Sequence, residues 1–328
     1  MFGHILSFFS TILPLIVILL VERNFVQSVP NPIKNGQIYE GSFPNGGPFP
    51  FAASLQRIPL TKQNNSTKAT HFCGGTYIGL GWIVTANHCV TDFESHLIYA
   101  ILGGSSLDSN DAHVFPILEK ISYPSYDGTT LVGDIAMLRI NISEIPPKLS
   151  NPRSSVGLPN IFPVRNDQSS VDSYEDNNYY DYDYWFSDKT LQTESERDEE
   201  CQIFGYGADR YNGPTSKILR FGQVQPIDHE TCSQLLGLVV APPSDTSSSG
   251  MFCAMGIADA CQGDSGSGLV CRPRPRPIFD EFHPSTLGRF ILRGVISYGA
   301  ACGTPASPGV YTDVRFYMPW IRDIMNKN

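Results

Sequence analysis

Cys261-Gln262-Gly263-Asp264-Ser265-Gly266-Ser267-Gly268 sets a serine among three glycines, where the backbone can come close to another molecule and turn its N–H groups toward it. A serine hydroxyl is a weak nucleophile until a base takes its proton, so this stretch calls for a histidine elsewhere in the chain. Thr85-Ala86-Asn87-His88-Cys89 supplies one at the end of an apolar run, beside a cysteine whose disulfide would fix the backbone at the ring. The imidazole needs a carboxylate to hold its tautomer and to stabilise its charged form. Asp134-Ile135-Ala136-Met137-Leu138 offers an aspartate at the head of another apolar run.

Around these segments, short runs rich in β-branched and aromatic residues recur between Gly, Pro, Asn and Ser clusters. They are Thr76 to Ile78, Trp82 to Thr85, Ile98 to Leu102, Ile135 to Ile140, Phe290 to Ser297 and Gly309 to Val314. This is the pattern of an all-β fold of short antiparallel strands. One helix is expected, Met318 to Met325, with Ile321, Ile324 and Met325 on one face and Pro319 in its first turn.

The 328-residue chain is 41 % hydrophobic, enough for a large core. Its formal charge of -9 is concentrated: residues 166–200 hold twelve Asp or Glu against Lys189 and Arg197, a local -10, so the rest is near +1. That acidic stretch carries Tyr174, Tyr179, Tyr180, Tyr182 and Tyr184 but few aliphatics, and reads as a long surface insertion. The alternating Arg272-Pro273-Arg274-Pro275-Arg276-Pro277 reads as an extended, exposed loop. No basic stripe with interleaved aromatics marks a nucleic-acid surface, and neither a metal-ligand spacing nor a cofactor motif stands out.

The apolar run from Ile5 to Val21 reads as the core of a secretory signal spanning residues 1–28, with Val26-Gln27-Ser28 suited to cleavage. A retained membrane anchor is the competing reading, because the run approaches the length of a bilayer span. The eight cysteines fit an oxidising destination, as do sequons at Asn64, Asn65 and Asn141. Localisation is therefore expected to be extracellular, without stable membrane association.

The serine, histidine and aspartate segments, in the order His, Asp, Ser, resemble the signature motifs of the chymotrypsin-like serine peptidases, the system from which the triad's general template is drawn. The resemblance runs from Ile33 to the terminal helix. It implies two packed antiparallel β-barrels, about 33–150 and 201–316, with His88 and Asp134 on the first and Ser265 on the second. It implies His88, Asp134 and Ser265 as catalytic residues, with the N–H groups of Gly263 and Ser265 as an oxyanion hole. It also implies the disulfides Cys73–Cys89, Cys201–Cys271, Cys232–Cys253 and Cys261–Cys302, one of 105 connectivities open to eight cysteines.

Asp259 stands where trypsin-like members carry the carboxylate at the base of the primary pocket, and Ser297-Tyr298-Gly299 with Gly309 resembles the pocket wall. The resemblance thus implies protein or peptide substrates cut after Arg or Lys, with protein inhibitors as further partners and the chain acting as a monomer. Ala260 lacks the hydroxyl that would help to hold an ammonium, so Arg is expected over Lys. Ile33 resembles the mature N-terminus of the family, whose ammonium inserts beside the aspartate at Asp264. Here Pro32 replaces the usual Arg or Lys before it, and Lys34 replaces an aliphatic residue. Val29-Pro30-Asn31-Pro32 would then be a short propeptide of two X-Pro units. A catalytically silent relative acting as a binding or regulatory module, and a membrane-anchored interaction protein, are the other classes open to this sequence.

Overall fold

In the computed structural model, Trp82–Thr85 is buried at every position, because it lies within a sheet and its apolar residues face protein on both sides. The structure describes residues 39–40, 49–57, 69–150, 156–158, 199–237, 249–273, 290–300, 302 and 307–327. Outside this set lie the leader and propeptide, Ile33, Asn64, Asn65, the acidic stretch as far as residue 198, and the Arg-Pro repeat beyond Pro273. Among the described residues, no helix is long and apolar enough to cross a membrane.

After a two-residue strand β1 (Tyr39–Glu40), the first sheet comprises β2 (Ala52–Arg57), β3 (Thr70–Gly79), β4 (Trp82–Thr85) and β5 (Ile98–Leu102). It continues with β6 (His113–Pro116), β7 (Glu119–Ser122) and β8 (Ala136–Arg139). These pair antiparallel in the order β6-β5-β2-β3-β4-β8-β7, a partial barrel open between β6 and β7. β3 is much longer than the run that signals it, because pairing with β2 extends it through the polar and glycine residues at its start. Near that start the register slips between Leu55 and Gln56, a bulge at Phe72 that re-aims His71.

The second sheet comprises β9 (Glu199–Gly205), β10 (Arg220–Ile227), β11 (Met251–Gly256), β12 (Gly268–Pro273), β13 (Ile291–Gly299) and β14 (Gly309–Asp313). Because β9 pairs with both β12 and β10, these six strands close into a barrel, with β1 pairing the start of β10 on the edge that β11 takes further along. The fold is thus the two-barrel architecture of the chymotrypsin type, all antiparallel, with a terminal helix.

The helices depart from expectation in two ways. α1 (Asn87–Val90) and α2 (Pro147–Ser150) are single turns, but α3 (His229–Leu236) is a full helix that hydrophobic spacing did not reveal. Its signal is local: Asp228 caps it, accepting from the Thr231 N–H and hydroxyl, both at 2.8 Å. The terminal helix, α4 (Val314–Lys327), starts a turn earlier than expected, so Pro319 sits inside it and not in its first turn. The early start is fixed by Asp313, whose carboxylate accepts from Arg315 N at 3.0 Å, and by Val314, which is fully buried.

An aromatic cluster joins the barrels. Phe49, just before β2, stacks on Phe204 of β9 at 5.1 Å and meets Phe221 of β10 at 5.4 Å and Phe290 at 5.3 Å. α4 reaches back from the second barrel so that Tyr317 and Trp320 lie edge-on to Tyr123 of the first, at 4.8 and 5.4 Å. A Phe49→Ala change removes a ring that is 1 % exposed and leaves a cavity between the barrels, so it should cost about 3–5 kcal/mol. Urea denaturation measures this, and a loss under about 1 kcal/mol would mean that the cluster does not hold the barrels together.

Candidate active site

β4 ends at Thr85 and the chain turns at once into α1, which carries His88. The His88 backbone N–H donates to Asp134 Oδ1 at 2.8 Å, and its ring Nδ1 donates to Oδ2 at 2.7 Å. Asp134 is fully buried, two residues before β8, whereas the His88 side chain is 29 % exposed. With Nδ1–H committed to the carboxylate, the lone pair of the neutral ring is left on Nε2, the arrangement a base requires. The same carboxylate receives the Ser297 hydroxyl at 2.5 Å, and the Asp134 carbonyl receives the Thr312 hydroxyl at 2.9 Å. Ser297 and Thr312 belong to the second barrel, so Asp134 is held from both sides of the interface. Ser297 therefore has a contact beyond the wall position expected of it, on a partner 163 residues away in sequence.

The loop that follows His88 is pinned by a residue the sequence did not single out. The Lys120 ammonium donates to the carbonyls of Val90 at 2.7 Å, Phe93 at 2.8 Å and Thr91 at 3.3 Å. A point charge with three donors thus gathers three carbonyls at and just beyond the end of α1.

Ser265 arrives from the second barrel on the Gln262–Gly266 turn, and its carbonyl accepts from Gly74 N at 2.8 Å across the interface. Gly266 has φ +82°, and a Cβ there would collide with the Thr85 hydroxyl, so no other residue fits. Cys89 Sγ lies 3.7 Å from His88 Nε2 and 3.6 Å from the Ser265 carbonyl. That sulfur is bonded to Cys73 and has no proton to donate, so it acts as a packing wedge that brings the histidine and serine segments together. Among the described residues, no hydrogen bond joins the Ser265 hydroxyl to the His88 ring; such bonds commonly tighten only when substrate is present.

The turn before Ser265 is fixed by its carbonyls. The Gln262 carbonyl accepts from Ala208 N at 2.9 Å and the Asp264 carbonyl from Ser267 N at 3.0 Å. In trans peptides these contacts turn the N–H groups of Gly263 and Ser265 the opposite way, and no described residue accepts from either. The Gly263 carbonyl accepts from His71 Nε2 at 2.9 Å, and His71 Nδ1 accepts from the Ser54 hydroxyl at 2.8 Å. Gln56 donates to Ser54 at 3.3 Å, so a relay of side chains on the first barrel steers a peptide of the second. Nothing local in the sequence foretells this role for His71, whose partner lies 192 residues away.

Beside the turn, Asp259, Ala260, Ser297, Tyr298, Gly299 and Gly309 line a cleft of about 370 Å³ together with Ser265. Gly299 pairs with Gly309, and a Cβ on Gly299 would find nothing nearer than 3.9 Å, so the wall there is bare. Burial, with Asp259 and Asp264 nearby, pushes the Tyr311 phenol well above its usual range and keeps it neutral. The disulfides are Cys73–Cys89, Cys201–Cys271, Cys232–Cys253 and Cys261–Cys302, the last at the rim of this cleft. Asn141 is partly exposed ahead of a short 3-10 turn. Among the described residues, two sets of side chains lie close enough to share a metal ion, Cys73/His88/Cys89 and Glu199/Cys201/Cys271. Both owe their proximity to a disulfide whose sulfurs have no thiolate to offer.

Burial lowers the His71 pKa to about 4, against a smaller upward pull from the Gly263 carbonyl. Its folded value lies below the unfolded 6.5, so its contribution to stability is complete above pH 6.5 and is lost as pH falls from 6.5 through 4. Urea midpoints measured across that window should fall more steeply with falling pH in the natural chain than in His71→Gln, in which the opposing contribution of Asp264 remains. Parallel slopes would show that the ring is not held neutral.

The sequence model of the Trypsin family matches residues 38–321. Among characterised proteins, the chain is 28 % identical to mouse Serine protease 56 over 92 % of its own length and 41 % of the relative's. The human Serine protease 56 is 27 % identical over 89 % of this chain and 39 % of the relative. Rat Transmembrane protease serine 9 is 28 % identical over 88 % of this chain and 22 % of its own length. The chain therefore spans about two fifths or less of the relatives it matches. With a family match that covers most of the sequence, laid over two barrels that meet at His88, Asp134 and Ser265, this chain belongs to the trypsin family of serine proteases.

Proposed function

We propose that the chain is a secreted endopeptidase that hydrolyses peptide bonds after arginine, and less readily after lysine, through a covalent acyl-enzyme on Ser265. The observation that carries this reading is the 2.7 Å bond from His88 Nδ1 to a fully buried Asp134 carboxylate. The His88 and Ser297 donors offset the desolvation of the carboxylate, which is placed to stabilise a positive charge developing on the ring. His88 Nε2 takes the Ser265 proton as the oxygen attacks the carbonyl carbon, then gives it to the departing amine. Water repeats the sequence on the acyl-enzyme. Gly263 and Ser265 N–H groups hold the oxyanion, a role in which the loss of one donor typically costs about 3 kcal/mol.

Asp259 supplies the charge that draws a basic side chain into the cleft. Ala260 beside it offers no hydroxyl to an ammonium, while the planar fork of arginine can reach a carboxylate with two parallel bonds. Ile33, once freed, is the cation that meets Asp264. The leader, the sequons at Asn64, Asn65 and Asn141, and the four disulfides fit an extracellular monomer acting on protein substrates and restrained by protein inhibitors.

Matched Arg and Lys chromogenic peptides should be cleaved with kcat/KM favouring Arg several-fold. Ser265→Ala and Asp134→Asn should each lower kcat by about ten-thousand-fold or more, Ser265→Ala with little change in urea stability. Equal or Lys-favoured rates would overturn the assignment of Ala260. A Ser265→Ala protein as active as the natural chain would overturn the mechanism.

A further inference from the structure

Asp264 is fully buried, and its carboxylate rests on the bare Cα atoms of Gly205 and Gly207, where any Cβ would strike it. It accepts from the backbone N–H groups of Gly207 at 2.7 Å and Cys261 at 3.0 Å, both neutral donors. Burial still pushes its pKa up to about 6, the two N–H groups and Arg220 pulling down and the like charge of Asp259 pushing up. No described residue forms an ion pair with it within 4.0 Å.

Arg220 stands directly across the β9–β10 ladder from Gly205. Cross-strand partners point to the same face of a sheet, so the side chain of Arg220 emerges on the face where Gly205 meets Asp264. That side chain is only 17 % exposed. One terminal nitrogen lies 3.8 Å from Asp209, a carboxylate that also meets Arg210 at 3.4 Å. Its Nε is buried with no acceptor among the described residues. Among the described residues, a buried carboxylate without a close cation and a buried guanidinium N–H without an acceptor thus share one face of one strand pair. β1 reaches the same place: Glu40 pairs in register with Arg220, so the segment that follows Ile33 joins the barrel at this residue.

We propose that Arg220 is the resident counter-cation of Asp264 and, through it, a positioning residue for the Gly263–Ser265 turn, so that the chain is catalytically competent before Ile33 is freed. This rests on the endopeptidase reading above. A new α-ammonium at Ile33 would add to a cation already in place, and processing would raise activity by a modest factor instead of switching it on. The absence of Arg or Lys before Ile33 then carries little penalty, since cleavage there is not what orders the turn.

Two measurements on the full-length chain separate this inference from the reading it rests on. The first is a double-mutant cycle in urea stability with Arg220→Gln, Asp264→Asn and the pair. We expect non-additivity of tenfold or more in the unfolding equilibrium constant, and additive effects would overturn the pairing whether or not the protein is an enzyme. The second is kcat/KM on an Arg p-nitroanilide, with N-terminal sequencing of the same sample to identify unprocessed material. Unprocessed natural protein should turn over, Arg220→Gln should lose tenfold or more, mainly in kcat, and Arg220→Lys should recover to within about threefold. Unprocessed protein that is inert until Ile33 is exposed, or an Arg220→Gln protein that is fully active, would overturn the positioning role. Protein inert with or without exposure of Ile33 would overturn the endopeptidase reading as well.

Discussion

The buried Asp134 carboxylate is the constraint around which the rest of this molecule is arranged. A carboxylate removed from water needs donors on every side, and this one finds them on two barrels: the His88 ring and backbone from the first, the Ser297 hydroxyl from the second. The Thr312 hydroxyl binds the same residue's carbonyl. Satisfying Asp134 therefore docks the barrels, and docking the barrels brings Ser265 beside Cys89 and His88. The same geometry that makes the charge tolerable assembles the site.

A second layer of order runs in the opposite direction. The first barrel reaches across through Gly74 N to Ser265, and through Gln56, Ser54 and His71 to the Gly263 carbonyl. Each contact orients a peptide plane instead of a reactive side chain. The result is a turn whose carbonyls are occupied and whose Gly263 and Ser265 N–H groups are left without acceptors, the arrangement that a developing negative charge on a substrate would need.

Much of this was legible in the sequence because its signals are local. A glycine-flanked serine, a histidine beside a cysteine and an aspartate heading an apolar strand each mark themselves within five to eight residues, as do the apolar runs of β4, β5 and β14. What was missed depends on distance in sequence or on competing forces. Ser54, His71 and Lys120 look ordinary until β2, β3 and β7 are paired and curved. The hydroxyl of Ser297 could be placed on the pocket wall by resemblance, but not on Asp134. α3 is held chiefly by its Asp228 cap and two buried residues, Cys232 and Leu236, too few to produce a readable stripe. α4 begins before its proline because Asp313 caps it and Val314 is buried, a tertiary effect that overrides the proline's preference for the first turn.

The central claim is that His88, held by Asp134, makes the Ser265 hydroxyl uniquely nucleophilic. Treatment of the purified protein with a fluorophosphonate, followed by peptide mapping, tests it most directly. The account predicts one covalent adduct, on Ser265, and its loss in His88→Ala protein that remains folded. Folded natural protein that takes no adduct at Ser265, or takes it equally well without the imidazole, would contradict it.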